Sequence, residues 1–419
     1  MKNAVFISLA FVSATLLAAA SPTVSNVAIA QDAEKNVIVT YDLDEEAIVT
    51  VAFSVGGEAV PVPVTVAGDA NRIVTAGTGR KGVWNPNLDW PLQSAANVSA
   101  TVKAWTKDVP PDYMAVRLRD DGTDLKIRYF ATSDDVPGGV TNRIYKSDWL
   151  LMRRIPAKGI KSRLGNDSTR PIPGRNYQTH LVSFTSDFYM AVYETTEAQY
   201  KNIAGGANLR TSDPWSASFA SATYAEEHPY IPVTDVFYRN HIRGDVQPDA
   251  APASGKLIDK LRTLSGIPTF DLPTEAQWEF ACRAGTATTL NDGTDSASSG
   301  TGLDNLKRVA WCGYNAESRP HEVGLKKPNA WGLYDMLGNA DEVPRDYYKT
   351  YTDADDDIAP LVTSASATET KYCTRGGSYG TKEWDCNSGD RGGAHLGGWA
   401  GAAGAGKQRG FRVMCLPPQ

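Results

Sequence analysis

From Asn36 to about Trp105 the chain alternates apolar and polar positions in short β-branched runs. These are Val37-Ile38-Val39-Thr40-Tyr41, Ala47 to Val55, Val60 to Val66 and Val98 to Trp105. Gly56-Gly57, Gly68-Asp69, Gly77 to Gly79 and Pro86-Asn87 separate them at the spacing of short antiparallel strands. The pattern predicts a small all-β, Ig-like sandwich with its connection over residues 31–130. Asp108 to Pro111 and Thr132 to Gly139 read as connections, with strands at Tyr113 to Leu118 and Leu125 to Ala131 between them. Nothing in this region gathers His, Cys or carboxylates, so it is expected to be a spacer or docking unit.

Beyond Ser147 the pattern changes. Thr196 heads a Thr-Glu-Ala-Gln run whose hydroxyl can accept the Gln199 backbone N–H while the Gln199 side chain reaches back, and Gly205-Gly206 supplies a stop. Thr274 heads a second such run, with Gln277 in the same role, Pro273 before it and Gly285 after it; Trp278, Phe280 and Ala281 give the buried stripe. A weaker third helix is expected over Gly255 to Leu264. From Leu303 onward Gly, Asn and aromatic residues recur without a sustained period, which predicts ordered loops held by disulfides or metal. The fold class expected is α+β, the sandwich followed by a loop-rich domain over 147–419.

The first thirty residues stand apart. Lys2 is followed by an apolar stretch from Ala4 to Ala20, and Ala28-Ile29-Ala30 precedes Gln31, so residues 1–30 are expected to be an export leader. No later stretch approaches the roughly 20 apolar residues of a membrane span. A periplasmic or extracellular protein with no membrane span is therefore expected. Five cysteines, Cys282, Cys312, Cys373, Cys386 and Cys415, fall in the last third; the odd number leaves at least one free or paired between chains. A net charge of −6 with no basic stripe argues against a nucleic-acid partner. The five histidines are scattered, and no Gly-x-Ser-x-Gly elbow, phosphate-cradling loop or His-Glu-x-x-His run is present.

Six ordered segments carry a family resemblance. They are Asp187-Phe188-Tyr189-Met190 leading to Tyr193-Glu194-Thr195-Thr196-Glu197-Ala198-Gln199-Tyr200; Ile231-Pro232-Val233-Thr234-Asp235-Val236; Leu272-Pro273-Thr274-Glu275-Ala276-Gln277-Trp278-Glu279-Phe280; Pro328 to Asn339; Arg375-Gly376-Gly377-Ser378-Tyr379; and Arg409-Gly410-Phe411-Arg412-Val413. Over roughly residues 147–416 the chain resembles the formylglycine-generating enzymes, or sulfatase-modifying factors. The resemblance implies a loop-rich variant of the C-type lectin fold.

Two sites follow from it. An Asp-x-x-Gly-x-Ala-x-Glu run can aim two carboxylates and two carbonyls at one point, as a hard ion taking six to eight oxygens requires. In the family this segment is a structural calcium site, which assigns Asp335, Gly338, Ala340 and Glu342 as calcium ligands. The family's second calcium site is not carried over, because residues 309–313 read Val-Ala-Trp-Cys-Gly. The family's copper(I) is held by two cysteines five residues apart, thiolates being the soft ligands this ion prefers. Here those positions are Thr381 and Cys386, and an alcohol cannot replace the thiolate. Ser378 matches the family's oxygen-site serine. Both tryptophans usual after Gly338-Asn339 are replaced, leaving Ala340-Asp341-Glu342-Val343, and Gln408 stands where an asparagine is usual.

The reading that results is an exported, non-catalytic binding or structural module for a protein or peptide ligand, holding calcium, with copper not expected. The alternative is a copper oxidase converting a target cysteine to formylglycine with Cys386 (and Ser378), alone or with a cysteine brought in from elsewhere in the fold. Lectin-like sugar recognition through the calcium is a third. Cys282, Cys373 and Cys415 are candidate disulfide partners for Cys386. A second thiol within bonding reach of Cys386 would overturn the non-catalytic reading.

Overall fold

The computed structural model describes residues 21–59, 65–91, 97–119, 126–165, 179–206, 226–236, 238–296, 301–352, 356–358, 361–363, 371–395 and 408–419. Near the N-terminus two sheets enclose one apolar core. The first runs Val24–Gln31, Val37–Leu43, Gly77–Trp84 and Ala67–Gly68; in the second, Ala47–Val55 pairs along its length with Val98–Trp105 and on its other edge with Arg72–Val74 and Glu58–Ala59. Val37, Val39, Tyr41 and Leu43 alternate inward, as a period of two demands, and meet Phe53 and Trp84 in the core. Val60 to Val64 of the expected third strand lies outside the described residues.

The leader boundary expected after Ala30 does not fit this sheet. Val24–Gln31 is an edge strand in antiparallel register with Val37–Leu43, so removing residues 1–30 would remove most of its ladder. Residues 1–20 lie outside the described set.

The expected division at residues 130–147 also moves. Tyr113–Arg117 and Ile127–Phe130, read as part of the first unit and its connection, belong to a five-stranded sheet ordered Ile127–Phe130, Tyr113–Arg117, Trp149–Ile155, Phe188–Ala191 and Met414–Cys415. The physical reason is burial: Met114, Val116, Leu150, Met152 and Tyr189 share one core cluster with Phe411 and Val413. The two units also join tightly. Ile48 of the first inserts into that same cluster, and the Tyr129 N–H donates to the Asn71 carbonyl at 2.9 Å.

Helices Glu197–Ile203, Leu257–Ser265 and Glu275–Arg283 lie where the caps and apolar spacing put them. Both capping boxes form: Thr196 and Thr274 accept the N–H of Gln199 and Gln277 at 3.1 and 3.2 Å, and each glutamine accepts the threonine's own N–H in return. A further helix, Thr301–Val309, had no cap signal in the sequence. Around these the chain is strand-rich with many tight loops. Parallel two-residue ladders, Ala310–Trp311 with Leu337–Gly338 and Asp341–Glu342 with Arg409–Gly410, tie distant loops together. No helix among the described residues is long and apolar enough to cross a membrane.

Candidate two-thiol centre and carboxylate cluster

The Arg375-Gly376-Gly377-Ser378 segment turns sharply over buried neighbours. Gly377 has φ +75°, and a Cβ there would lie 2.9 Å from the Cys386 sulfur and 3.2 Å from the Thr381 methyl, so only glycine lets this turn wrap both residues. The Thr381 hydroxyl accepts the Ser378 N–H at 2.8 Å and shares a second 2.8 Å hydrogen bond with the Ser378 hydroxyl, which also donates to the Gln408 side-chain oxygen. Ser378, Thr381 and Gln408 thus form a closed polar network, with Ser378 fully buried.

The second sulfur comes from a different loop. Ala310–Trp311 runs parallel to Leu337–Gly338, and Gly338, at φ +79°, sits so close that a Cβ would lie 2.1 Å from the Trp311 carbonyl oxygen. This contact ends the short strand at Cys312. There the Asn315 side chain accepts the Cys312 N–H at 2.9 Å and the Gly313 N–H donates to the Thr381 carbonyl at 2.8 Å. The loop is thereby fixed against the Ser378–Thr381 turn. Cys386 and the backbone N–H groups of Tyr314 and Asn315 lie near enough to the Cys312 sulfur to lower its thiol. Both cysteines are 0% exposed and neither is in a disulfide.

Three donors converging on one sulfur favour its thiolate. The Cys386 contact first, then the two N–H groups, bring the Cys312 thiol down to about 7 against the opposing effect of burial. Cys386 is pushed the other way, chiefly as the proton donor to Cys312 and then by burial and nearby Asp341 and Asp390. The two thiols are thus driven apart, Cys312 toward its thiolate and Cys386 toward its protonated form.

Cys312 is the candidate site residue the sequence reading missed. Cys282, Cys373 and Cys415, the partners weighed for Cys386, are placed elsewhere: Cys373 donates to Glu275 at 2.9 Å, Cys282 lies 4.0 Å from the Met336 carbonyl, and Cys415 packs in the core of the five-stranded sheet. The signal available in the sequence was the combination of an odd cysteine count with a vacancy at 381.

The expected calcium segment forms a buried acidic cluster. Asp335 accepts the Gly324 N–H at 2.6 Å through Oδ2, while its Oδ1 is buried without a hydrogen-bond partner. Glu194, which the sequence reading did not assign, accepts the Asn339 side chain at 2.7 Å and the Ala340 N–H at 2.8 Å. Glu342 differs from its expected role: its oxygens accept from the Arg412 guanidinium and, at 2.6 Å, from the Trp278 indole. Burial, then the neighbouring carboxylates, raises Glu194 well above the usual range. Burial is also the first cause that raises Asp335, to about 6. Among the described residues no three His, Cys, Asp or Glu side chains converge as a metal-binding group.

The sulfatase-modifying factor enzyme 1-like domain profile matches residues 161–415, more than half of the chain. The formylglycine-generating enzyme of Bos taurus is 31% identical over 117 residues, covering 26% of this chain and 29% of that enzyme; the chain thus aligns with under a third of that relative's length. The chaperone protein LppX of Paenibacillus barcinonensis is 24% identical over 233 residues, covering 46% of this chain and 78% of that protein. Among solved structures, PvdO from Pseudomonas aeruginosa is 22% identical with a TM-score of 0.48, covering 64% of this chain and 94% of that one. Treponema denticola variable protein 1 is 22% identical with a TM-score of 0.47, covering 64% and 96%. With its ordered motifs and its strand-rich mixed α/β architecture, this chain belongs to the sulfatase-modifying factor (FGE-sulfatase) family.

Proposed function

We propose that this chain is an exported formylglycine-generating-enzyme-like protein in which Cys312, delivered by another loop, replaces the cysteine missing at position 381. Cys312 and Cys386 then form a two-thiol centre for a soft monovalent ion, copper(I). The observation that carries this reading is the contact between the two sulfurs, with backbone donors aimed at one of them. Two thiolates suffice for this ion, and soft sulfur donors select it. When bound, copper(I) supplies the redox chemistry for oxidising a target cysteine. The chain's own residues hold the site: Asn315 and the Gly313–Thr381 bond fix the loop, and Cys386 holds the proton that metal binding displaces. Tyr314 and Trp384, 55% and 42% exposed, each lie two residues from one of the cysteines and offer a surface for an approaching peptide.

The test is copper(I) competition against a chromogenic chelator, followed by incubation with a cysteine-containing sulfatase peptide. One copper per chain is expected, lost in Cys312→Ser and in Cys386→Ser and kept in Thr381→Val, with aldehyde formation seen by mass spectrometry. Copper binding that survives Cys312→Ser, or no binding at all, refutes the rebuilt centre.

A second reading, a binding module without chemistry, is favoured by the complete burial of both thiols and by the Ser378–Thr381–Gln408 network that fills the family's copper position. Stoichiometric copper without aldehyde would select it.

Structural calcium belongs to the same proposal, held by Asp335 with the carbonyls of Gly338 and Ala340. The unpartnered Asp335 oxygen and the excess of buried acid beside Glu194 support it, while Glu342 serves Arg412 instead. The N-terminal unit is read as an Ig-like sandwich and the C-terminal one as C-type-lectin-like. The leader is placed to end before Val24, which keeps the edge strand in the mature protein.

A further inference from the structure

Asn339 stands where the carboxylate cluster and the loops of the thiol pair come back to back. It is fully buried and takes the left-handed conformation, φ +63°, directly after Gly338 at +79°. Asparagine is one of the few residues with a side chain that enter this region readily. Every polar group of Asn339 has a partner. Its side-chain amide donates to Glu194 at 2.7 Å and to the His321 carbonyl at 3.2 Å, and its side-chain oxygen accepts the His321 N–H at 2.9 Å. Its own N–H donates to the Trp311 carbonyl at 2.7 Å, and its carbonyl accepts the Tyr379 N–H at 2.9 Å.

A trans peptide group is planar, with its C=O and N–H pointing opposite ways. The Asn339 N–H is directed at Trp311, so the Gly338 carbonyl of the same plane is turned away from the Cys312 loop. In the next plane the Asn339 carbonyl accepts from Tyr379, and the Ala340 N–H donates to Glu194 at 2.8 Å. Each plane therefore has one end on a loop of the thiol pair and the other directed away from it. Trp311 immediately precedes Cys312, and the turn that carries Tyr379 closes over the Cys386 sulfur at Gly377.

We infer, on the reading of calcium and copper(I) given above, that the two peptide groups flanking Asn339 couple the carboxylate cluster to the two-thiol centre, with Asn339 as the positioning residue. The unpartnered Asp335 oxygen is the opening for the cation, and backbone carbonyls are ordinary ligands of a hard ion. With the Gly338 carbonyl held, the plane that aims the Asn339 N–H at Trp311 is fixed, and polarising that carbonyl strengthens the bond its N–H donates. The second plane is held by Glu194, which grips residue 339 through its side chain and the following N–H together.

Copper(I) competition on the full chain, in calcium and in calcium-free buffer, tests the coupling. Calcium should tighten copper(I) by about tenfold, and copper(I) should tighten calcium by the same factor, because such coupling is reciprocal. Asn339→Gly permits the left-handed turn but removes the Glu194 and His321 bonds; both ions should still bind, with both factors falling toward unity. Amide hydrogen exchange reads the same joint without copper. Calcium should slow exchange at the Gly313 and Tyr379 N–H groups in the wild type and not in Asn339→Gly. If that variant does not fold, the wild type decides. Slowing confined to the acidic segment and to Gly324, whose N–H meets Asp335 directly, overturns the inference. Copper(I) affinity indifferent to calcium in a chain that binds both ions, or coupling undiminished in Asn339→Gly, overturns it while the metal sites stand. Absence of calcium binding overturns it together with the calcium site. If calcium binds and copper(I) does not, the two-thiol reading fails and the exchange measurement alone decides the coupling.

Discussion

Two groups of buried carboxylates in the same domain are driven in opposite directions. Glu275 and Glu279, on one face of the Glu275–Arg283 helix, meet Arg375 at 2.8 Å each; Arg391 adds a 2.7 Å bond to Glu275 and Arg283 a 2.8 Å bond to Glu279. Against the opposing effect of burial, the arginines hold both carboxyls below the ordinary carboxylate range, Glu275 well below it. Glu194, Asp335 and Glu342 are buried as deeply, yet Arg412 is the cation they share and Glu342 takes it. There burial wins, and Glu194 and Asp335 rise. Depth of burial does not set the charge state; the number of partnered cations does. The second cluster is left short of positive charge, which is what the calcium proposal rests on.

The largest expected effect comes from making the first cluster resemble the second. Arg375→Ala removes the cation that two buried carboxylates share, leaving one arginine to each, and should cost about 3–5 kcal/mol in urea unfolding. Adding Glu279→Gln to that variant should restore part of the loss, and a double variant as unstable as the single one would break the comparison. Supplying a cation to the second cluster should have the opposite sign. Calcium at a hundred times its dissociation constant would stabilise the chain by about 2.7 kcal/mol, read as a melting shift reversed by chelator and absent in Asp335→Asn.

The pH dependence separates the clusters in one titration. For Glu275 and Glu279 the folded value lies below the unfolded one, so their stabilisation is present above about pH 4.5 and lost as pH falls beneath it. For Asp335 the folded value, about 6, lies above the model-compound 3.8. The folded state therefore retains a proton that the unfolded state releases, and stability declines between about pH 4 and pH 6 in calcium-free buffer. Denaturation midpoints across this range should show that decline in the wild type and a flatter profile in Asp335→Asn. Thr274→Ala, which removes the cap of the helix bearing Glu275 and Glu279 while leaving the arginines in place, should cost only about 1 kcal/mol.

The thiol pair extends the comparison to sulfur. If the Cys386 donor is what lowers Cys312, thiolate absorbance in the wild type should titrate near pH 7 and move upward in Cys386→Ala, where the two backbone N–H donors remain. An unmoved titration would give the whole effect to the backbone.

What the sequence revealed and what it hid differ by range of interaction. Both Thr/Gln caps were legible because their partners lie three residues apart, and so was the inward alternation of Val37, Val39 and Tyr41. The acidic segment from Asp335 to Glu342 was legible as a run, but Glu194 joins it from 141 positions earlier in the chain, and Arg412 claims Glu342 from 70 positions later. Cys312 was hidden for the same reason. Its approach to Cys386 depends on the Trp311–Gly338 ladder and the Gly313–Thr381 bond, contacts no local spacing encodes. The membership of Tyr113–Arg117 in the five-stranded sheet was missed because a strand's period shows which face is buried and not which neighbour it pairs with.

Arg412 sits between two long-range pairings: Arg409–Gly410 pairs with Asp341–Glu342, and Met414–Cys415 forms the outer strand beside Phe188–Ala191. These closures join positions separated by up to about 220 residues in the chain, so the loop entropy of closing them is met late in folding. Until that closure forms, Glu342 and Glu194 are without the Arg412 guanidinium.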